Sequence, residues 1–173
     1  MSKRNDMIKV LENNLSNCTS TYPAYIHGRI PSKVMRGALS SYGGAINSDD
    51  VLGLIDTTIL ESGKTGVLFT ENNVYYSGGM LGDTGYVSYT SLSNGEYIPA
   101  ELLSSIYNAS AMKQILGKLT GIATYSVKED LNNTMQSISD SLDEWGEIAE
   151  KGMKLFNGVM SILKSNNEND KKE

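Results

Sequence analysis

Ten residues near the C-terminus, Leu131, Met135, Ile138, Leu142, Trp145, Ala149, Gly152, Phe156, Val159 and Leu163, fall at alternating steps of four and three. A repeat averaging about 3.5 residues returns one narrow stripe of a helix to the same partner surface over its whole length. A second row, Ile148, Leu155 and Ile162, spaced by seven, thickens the stripe in its latter half. Each large apolar side chain left in water forfeits about 1.5–3 kcal/mol of burial. A helix over residues 126–165 must therefore be covered, either by a second chain or target or by other helices of its own chain.

The remaining composition narrows the classes. At 173 residues with 39% hydrophobic content, the chain can bury a genuine core of one domain plus an appendage. Its net charge of −5 is unevenly spread: residues 1–124 carry nine Lys/Arg against ten Asp/Glu, and residues 125–173 carry six against ten. No window offers the basic stripe needed to displace counterions from phosphates, so nucleic acid is not an expected partner. Cys18 is the single cysteine, which excludes an internal disulfide and fits a reducing compartment. The N-terminus alternates polar with apolar residues, unlike the continuous apolar run of a signal peptide, and no stretch reaches the roughly 20 apolar residues that span a bilayer. The expectation is a cytoplasmic protein.

Along the chain, Met7, Ile8, Val10, Leu11 and Leu15 predict a helix over 3–17, followed by a connector containing Pro23 and Gly28. Pro31 suits the first turn of a second helix with Val34, Met35, Ala38 and Leu39 inward, stopped by Gly43-Gly44. From Val51 to Ile59 a density of β-branched and aliphatic residues predicts a buried strand. Gly66–Thr70 and Val74–Ser77 predict two more strands, joined at Glu71-Asn72-Asn73 by a tight hairpin. The alternation Tyr86-Val87-Ser88-Tyr89-Thr90 predicts a half-exposed strand beyond a Gly-rich loop. Residues 100–119 then return to helix behind Pro99, and residues 166–173 hold nothing to bury and are expected to be disordered. The fold class is α+β: a small antiparallel sheet or partial barrel with N-terminal helices and long C-terminal amphipathic helices. The expected parts are an N-terminal helix and connector (1–29), an α+β core (30–122), the heptad helix (126–165) and the tail.

Chemistry finds little support. Gly63-Lys64-Thr65 matches the end of a phosphate-binding loop, but position 58 is Thr where that loop needs Gly, and Val67-Leu68-Phe69 reads as strand where it needs helix. His27 is the single imidazole and has no second ligand or nucleophile near it in sequence. Asp49, Asp50 and Asp56 are explained by turn and capping roles. No catalytic residue, metal or cofactor is expected. The ten tyrosines against two Phe and one Trp supply large contact area with a polar tip, so Tyr75, Tyr76, Tyr86 and Tyr89 form a candidate binding patch. The remaining candidate site is the seam itself, through Leu131, Met135, Ile138, Leu142, Trp145, Ala149, Phe156, Val159 and Leu163.

Ile30-Pro31, Ala38–Tyr42, Asp49–Thr58, Ser62–Thr70 and Val74-Tyr75-Tyr76, with a later strand at Val87-Ser88-Tyr89, resemble the bacterial pleckstrin-homology-like domains over about residues 30–92. The resemblance implies a small, strongly bent antiparallel barrel or half-barrel without catalytic activity, used to bind proteins or occasionally lipids. Its lipid-binding relatives hold headgroups on a basic loop, where this chain has only Lys64. The expected function is thus a non-enzymatic protein-interaction and assembly protein, a homo-oligomer or binder of a protein target through 126–165, in a setting such as a phage- or mobile-element-encoded inhibitor of a host protein. The alternative is a peripheral membrane-surface protein using 152–164, disfavoured by Glu144, Glu147 and Glu150 just before it.

Overall fold

Residues 2–79 and 82–125 are described by the computed structural model; the heptad seam, the membrane-surface alternative at 152–164 and the expected disordered tail lie outside the described residues. Helix α1 spans Lys3–Asn14 and is opened by Ser2, whose Oγ accepts the Asn5 N–H at 3.4 Å. A 3₁₀ turn, Leu15–Cys18, continues it. Met7, Leu11, Leu15 and Cys18 are buried in one stripe, as their helical spacing predicts. Strand β1 (Ala24–Ile26) follows where the sequence predicts only a connector. At three residues it is too short to show a period of its own.

Helix α2 (Ser32–Ala38) begins behind Pro31, which costs no hydrogen bond at that position, and widens into a π turn over Leu39–Gly43. Four strands follow: β2 (Gly53–Asp56), β3 (Gly66–Phe69), β4 (Asn73–Ser77) and β5 (Thr84–Ser88). With β1 they form one antiparallel sheet in the order β1-β2-β3-β4-β5, a meander whose neighbours in space are neighbours in sequence. Helix α3 (Tyr89–Ser93) comes next. A 3₁₀ turn at Ala100–Leu103 precedes a final described helix, α4, over residues 109–125.

Three predicted elements end differently. The strand predicted over 51–59 stops at Asp56, whose carboxylate gathers the chain into a loop, and Ile59 is exposed. The strand predicted to run to Thr90 stops at Ser88, because the Ser88 Oγ accepts the Ser91 N–H at 2.9 Å and starts α3 there. The single helix predicted over 100–119 is two pieces, with Asn108 restarting it: the Asn108 Oδ1 accepts the Ala111 N–H at 3.2 Å.

The register sorts side chains to the two sheet faces. On one face, Ile55, Val67, Phe69, Val74 and Val87 pack in the larger core with Met7, Leu11 and Leu15, and with Leu102, Met112, Ile115, Leu116 and Leu119. Gly53 brings α1 close, since a methyl group there would lie 3.2 Å from Leu11 Cδ1 and 3.3 Å from Leu15 Cδ2. On the other face, Leu54 and Leu68 pack with Val34, Ala38, Tyr42 and Val51 beneath α2. That second core covers β2 and β3, while on β4 and β5 only Tyr75 reaches its margin.

Helix α2 touches the loop between β2 and β3 at close range. A methyl group at Gly37 would sit 1.6 Å from the Ser62 carbonyl oxygen. Gly37→Ala is expected to push the loop off the helix and to destabilise the fold by about 2–3 kcal/mol, the usual range for overpacking a tight contact; the urea unfolding midpoint measures this.

Candidate functional site

The loop over residues 57–65 is built around one carboxylate. Asp56 is fully buried. Its Oδ1 accepts the Thr58 N–H at 2.9 Å and the Thr58 hydroxyl at 2.6 Å, and its Oδ2 accepts the Gly63 N–H at 3.0 Å. The Thr58 Oγ1 in turn accepts the Ser62 N–H at 2.7 Å, and the Thr57 and Thr65 hydroxyls meet at 2.9 Å. Gly63, at φ +71°, takes a left-handed conformation with its α-carbon against the Val34 carbonyl. Gly63-Lys64-Thr65 is therefore the closing arm of this loop, running directly into β3.

The frame presents two large apolar side chains to water. Ile59 is 95% exposed and Leu60 78%. Lys33 donates from Nζ to the Leu60 carbonyl at 3.0 Å, and the Tyr25 hydroxyl donates to Glu61 Oε2 at 3.3 Å. Isolated apolar side chains are common on surfaces. An adjacent pair held out by a network that reaches a buried carboxylate is a shaped knob, and the β-branched run that contains it conceals it in the sequence. The Asp56-x-Thr58 spacing, a turn signature, is the signal that could have revealed it.

The second exposed feature lies on the half of the sheet that α2 leaves bare. The Tyr89 N–H donates to the Asn72 carbonyl at 3.0 Å and the Gly78 N–H donates to the Asp83 carbonyl at 3.0 Å. Counting inward by twos, Tyr75 and Tyr86 face each other as a non-hydrogen-bonded pair, the type in which side chains approach most closely. Their ring centroids are 5.4 Å apart with a 34° tilt. Tyr86 is 65% exposed, and the Tyr75 hydroxyl accepts from Asn73 Nδ2 at 3.2 Å. Beside them is an open hollow of about 730 Å³ lined by Asn73, Tyr75, Tyr86, Val87, Ser88, Ser91 and Glu96.

The other two candidate tyrosines lie elsewhere. Tyr76 points to the opposite face, partly buried against the larger core. Tyr89 is 1% exposed at the start of α3, and burial pushes its phenol well above the ordinary tyrosine range. Of the four, the structure brings only Tyr75 and Tyr86 together at the surface. The seam residues from Leu131 to Leu163 lie outside the described residues.

The groups weighed for chemistry have structural partners. His27 Nδ1 lies 2.8 Å from the Val51 carbonyl, so that nitrogen carries the proton. Asp49 and Asp50 form a 3₁₀ turn, and Arg4 donates to the Asp49 carbonyl and to Glu71 Oε1, the latter at 3.0 Å. Among the described residues no group of three or more His, Cys, Asp or Glu could hold a metal ion, and no helix is long and apolar enough to cross a membrane.

Comparison with known proteins gives no match: no family model, no curated protein and no solved structure aligns with the chain. The class is defined by the fold alone, an α+β protein built on a five-stranded antiparallel meander with helices packed on both faces.

Two outcomes follow. Asp56→Asn replaces the oxygen that accepts the Gly63 N–H, or the one that accepts from Thr58, with an NH₂ group, and is expected to cost about 2 kcal/mol, the worth of one hydrogen bond to a charged group; a lowered thermal midpoint with faster hydrogen exchange at Gly63 checks it. Cys18 is buried, and burial pushes its thiol up to about 11. In folded protein at about pH 8 it should resist a thiol-disulfide reagent, and denaturant should restore ordinary reactivity.

Proposed function

We propose that this chain is a non-catalytic interaction and assembly protein, in which the sheet and its helices form a rigid platform and the heptad-patterned segment 126–165 supplies a second, association-driven contact. The observation that carries the reading is the Ile59-Leu60 knob. Two apolar side chains at 95% and 78% exposure forgo burial worth several kcal/mol, yet the loop bearing them is fixed by buried hydrogen bonds. Pre-organisation of this kind lowers the ordering cost of docking into a partner's pocket.

The meander with its helices is compatible with the pleckstrin-homology-like resemblance, and that resemblance supports binding rather than catalysis. The same reading takes the protein to work in the cytoplasm, as an inhibitor of a host protein carried by a phage or mobile element. The seam through Leu142 and Trp145 would join copies of the chain or clamp the target.

Affinity capture from the native host tests this, using the intact chain beside Ile59→Ser/Leu60→Ser and Leu142→Asp/Trp145→Asp variants, with light scattering on each. The knob variant should keep its thermal midpoint, since exposed positions shift stability by less than about 0.5 kcal/mol, and should lose a partner that the intact chain retains. The seam variant should lose either its oligomeric mass or that partner. A chain that stays monomeric and retains the same proteins through every variant overturns the reading.

A further inference from the structure

Resting on the reading of the chain as an interaction platform, we propose that the outer edge of β5 and the Tyr75–Tyr86 face receive an extended segment of a partner protein bearing an arginine or lysine side chain. β5 ends the sheet, and among the described residues no strand pairs with its outer side. The hydrogen-bonded pairs toward β4 fall at Val87 and Gly85, so Thr84 and Tyr86 direct their backbone N–H and C=O groups outward. An incoming strand can complete that ladder, a recurrent mode of peptide capture that leaves specificity to the alternate side chains.

The chemistry beside the edge selects the side chain. Among the described residues the hollow along Tyr86 is lined by an amide, two serine hydroxyls, two tyrosine rings and one carboxylate, Glu96, with Val87 the sole aliphatic residue. An apolar occupant would bury these polar groups unpaired. A cation finds the negative faces of two tyrosines and a carboxylate at the rim. Among the described residues no Lys, Arg or His lines this hollow. The adjoining hollow beyond Tyr75 holds Asp50 and Glu71 balanced by Arg4, which donates to Glu71, and by Lys3, whose Nζ donates to Asn72 at 3.2 Å. The complementarity to a basic segment thus rests on the Tyr75–Tyr86 hollow itself, where Glu96 is the charged group among the described lining residues.

The test is an NMR titration of the isotope-labelled full chain with two blocked five-residue peptides of alternating threonine and valine, one with arginine at its centre and one with glutamate. The arginine peptide should shift the Thr84, Tyr86 and Ser88 amides saturably, and the glutamate peptide should bind about fivefold or more weakly. Glu96→Gln and Tyr86→Ala, both at exposed positions, should each weaken the arginine peptide about threefold while the rest of the spectrum stays unchanged. Equal binding of the two peptides overturns the proposal, as does absence of any shift in β5 at millimolar peptide. Broadening of the same amides with protein concentration alone would assign the edge to a second copy and also overturn it. Failure here is separable from failure of the assembly reading, which is measured through Ile59, Leu60, Leu142 and Trp145.

Discussion

A carboxylate sealed from water sets the geometry of half this molecule. Desolvating an ionised Asp56 is expensive unless strong donors replace the lost hydration. Thr58 and Gly63 supply them, and in doing so they end β2, turn the chain and deliver it into β3 in register. The turned loop brings Ser62 and Gly63 against α2, at a spacing that admits only glycine at 37 and 63. The helix is thereby fixed over β2 and β3, and the second core of Val34, Ala38, Leu54 and Leu68 forms beneath it. The buried charge, the glycine contacts and the apolar core specify one another, which is the mark of a single well-defined arrangement.

The same placement explains why the sheet is unequal on its two sides. One face is covered from β2 to β5 by α1, α4 and the turn at Ala100–Leu103, whereas α2, at seven residues, shelters only part of the other. The tyrosines divide accordingly. Tyr42, Tyr89 and Tyr107 are enclosed, and burial pushes their phenols well above the usual range; the hydroxyls of Tyr42 and Tyr89 have no hydrogen-bond partner among the described residues. Tyr75 and Tyr86 stand where cover ends, with their rings paired and their edges wet. A residue type that the sequence shows as one bias serves two physical roles, filler and contact surface.

Much of the architecture was legible in the chain. The α1 stripe, the hairpin of β3 and β4 and the start of α2 follow from periodicity and turn residues, which act locally. What escaped depends on partners distant in sequence or on single polar side chains. β1 is three residues long and exists because β2 offers it a ladder, with Ala24 opposite Ile55. Val51–Ile59 looks uniformly strand-like because composition cannot register a side chain that captures its own backbone two residues on. Ser88 is read as part of an alternating pattern, yet its hydroxyl opens a helix. Of the candidate site, the pairing of Tyr75 with Tyr86 needed register, and the knob needed the Asp56 loop, so neither was visible as such.

The larger core is assembled from the two ends of the described chain. Asn108 donates its N–H to the Cys18 carbonyl at 2.8 Å, and Lys118 donates to the Asn14 side chain at 2.9 Å. During synthesis helix α1 can pack on Gly53, Ile55, Val67 and Phe69 once β2 and β3 exist, whereas its contacts with α4 join residues 104 positions apart in sequence and are made last. The meander between them can zip strand by strand with α1 on its inner face, but the part of that face beneath Met112, Ile115, Leu116 and Leu119 stays uncovered until then. Translation of the stretch after Asn108 becomes the event that closes the domain, and a nascent chain stalled before it presents a sticky sheet to whatever chaperone stands at the exit.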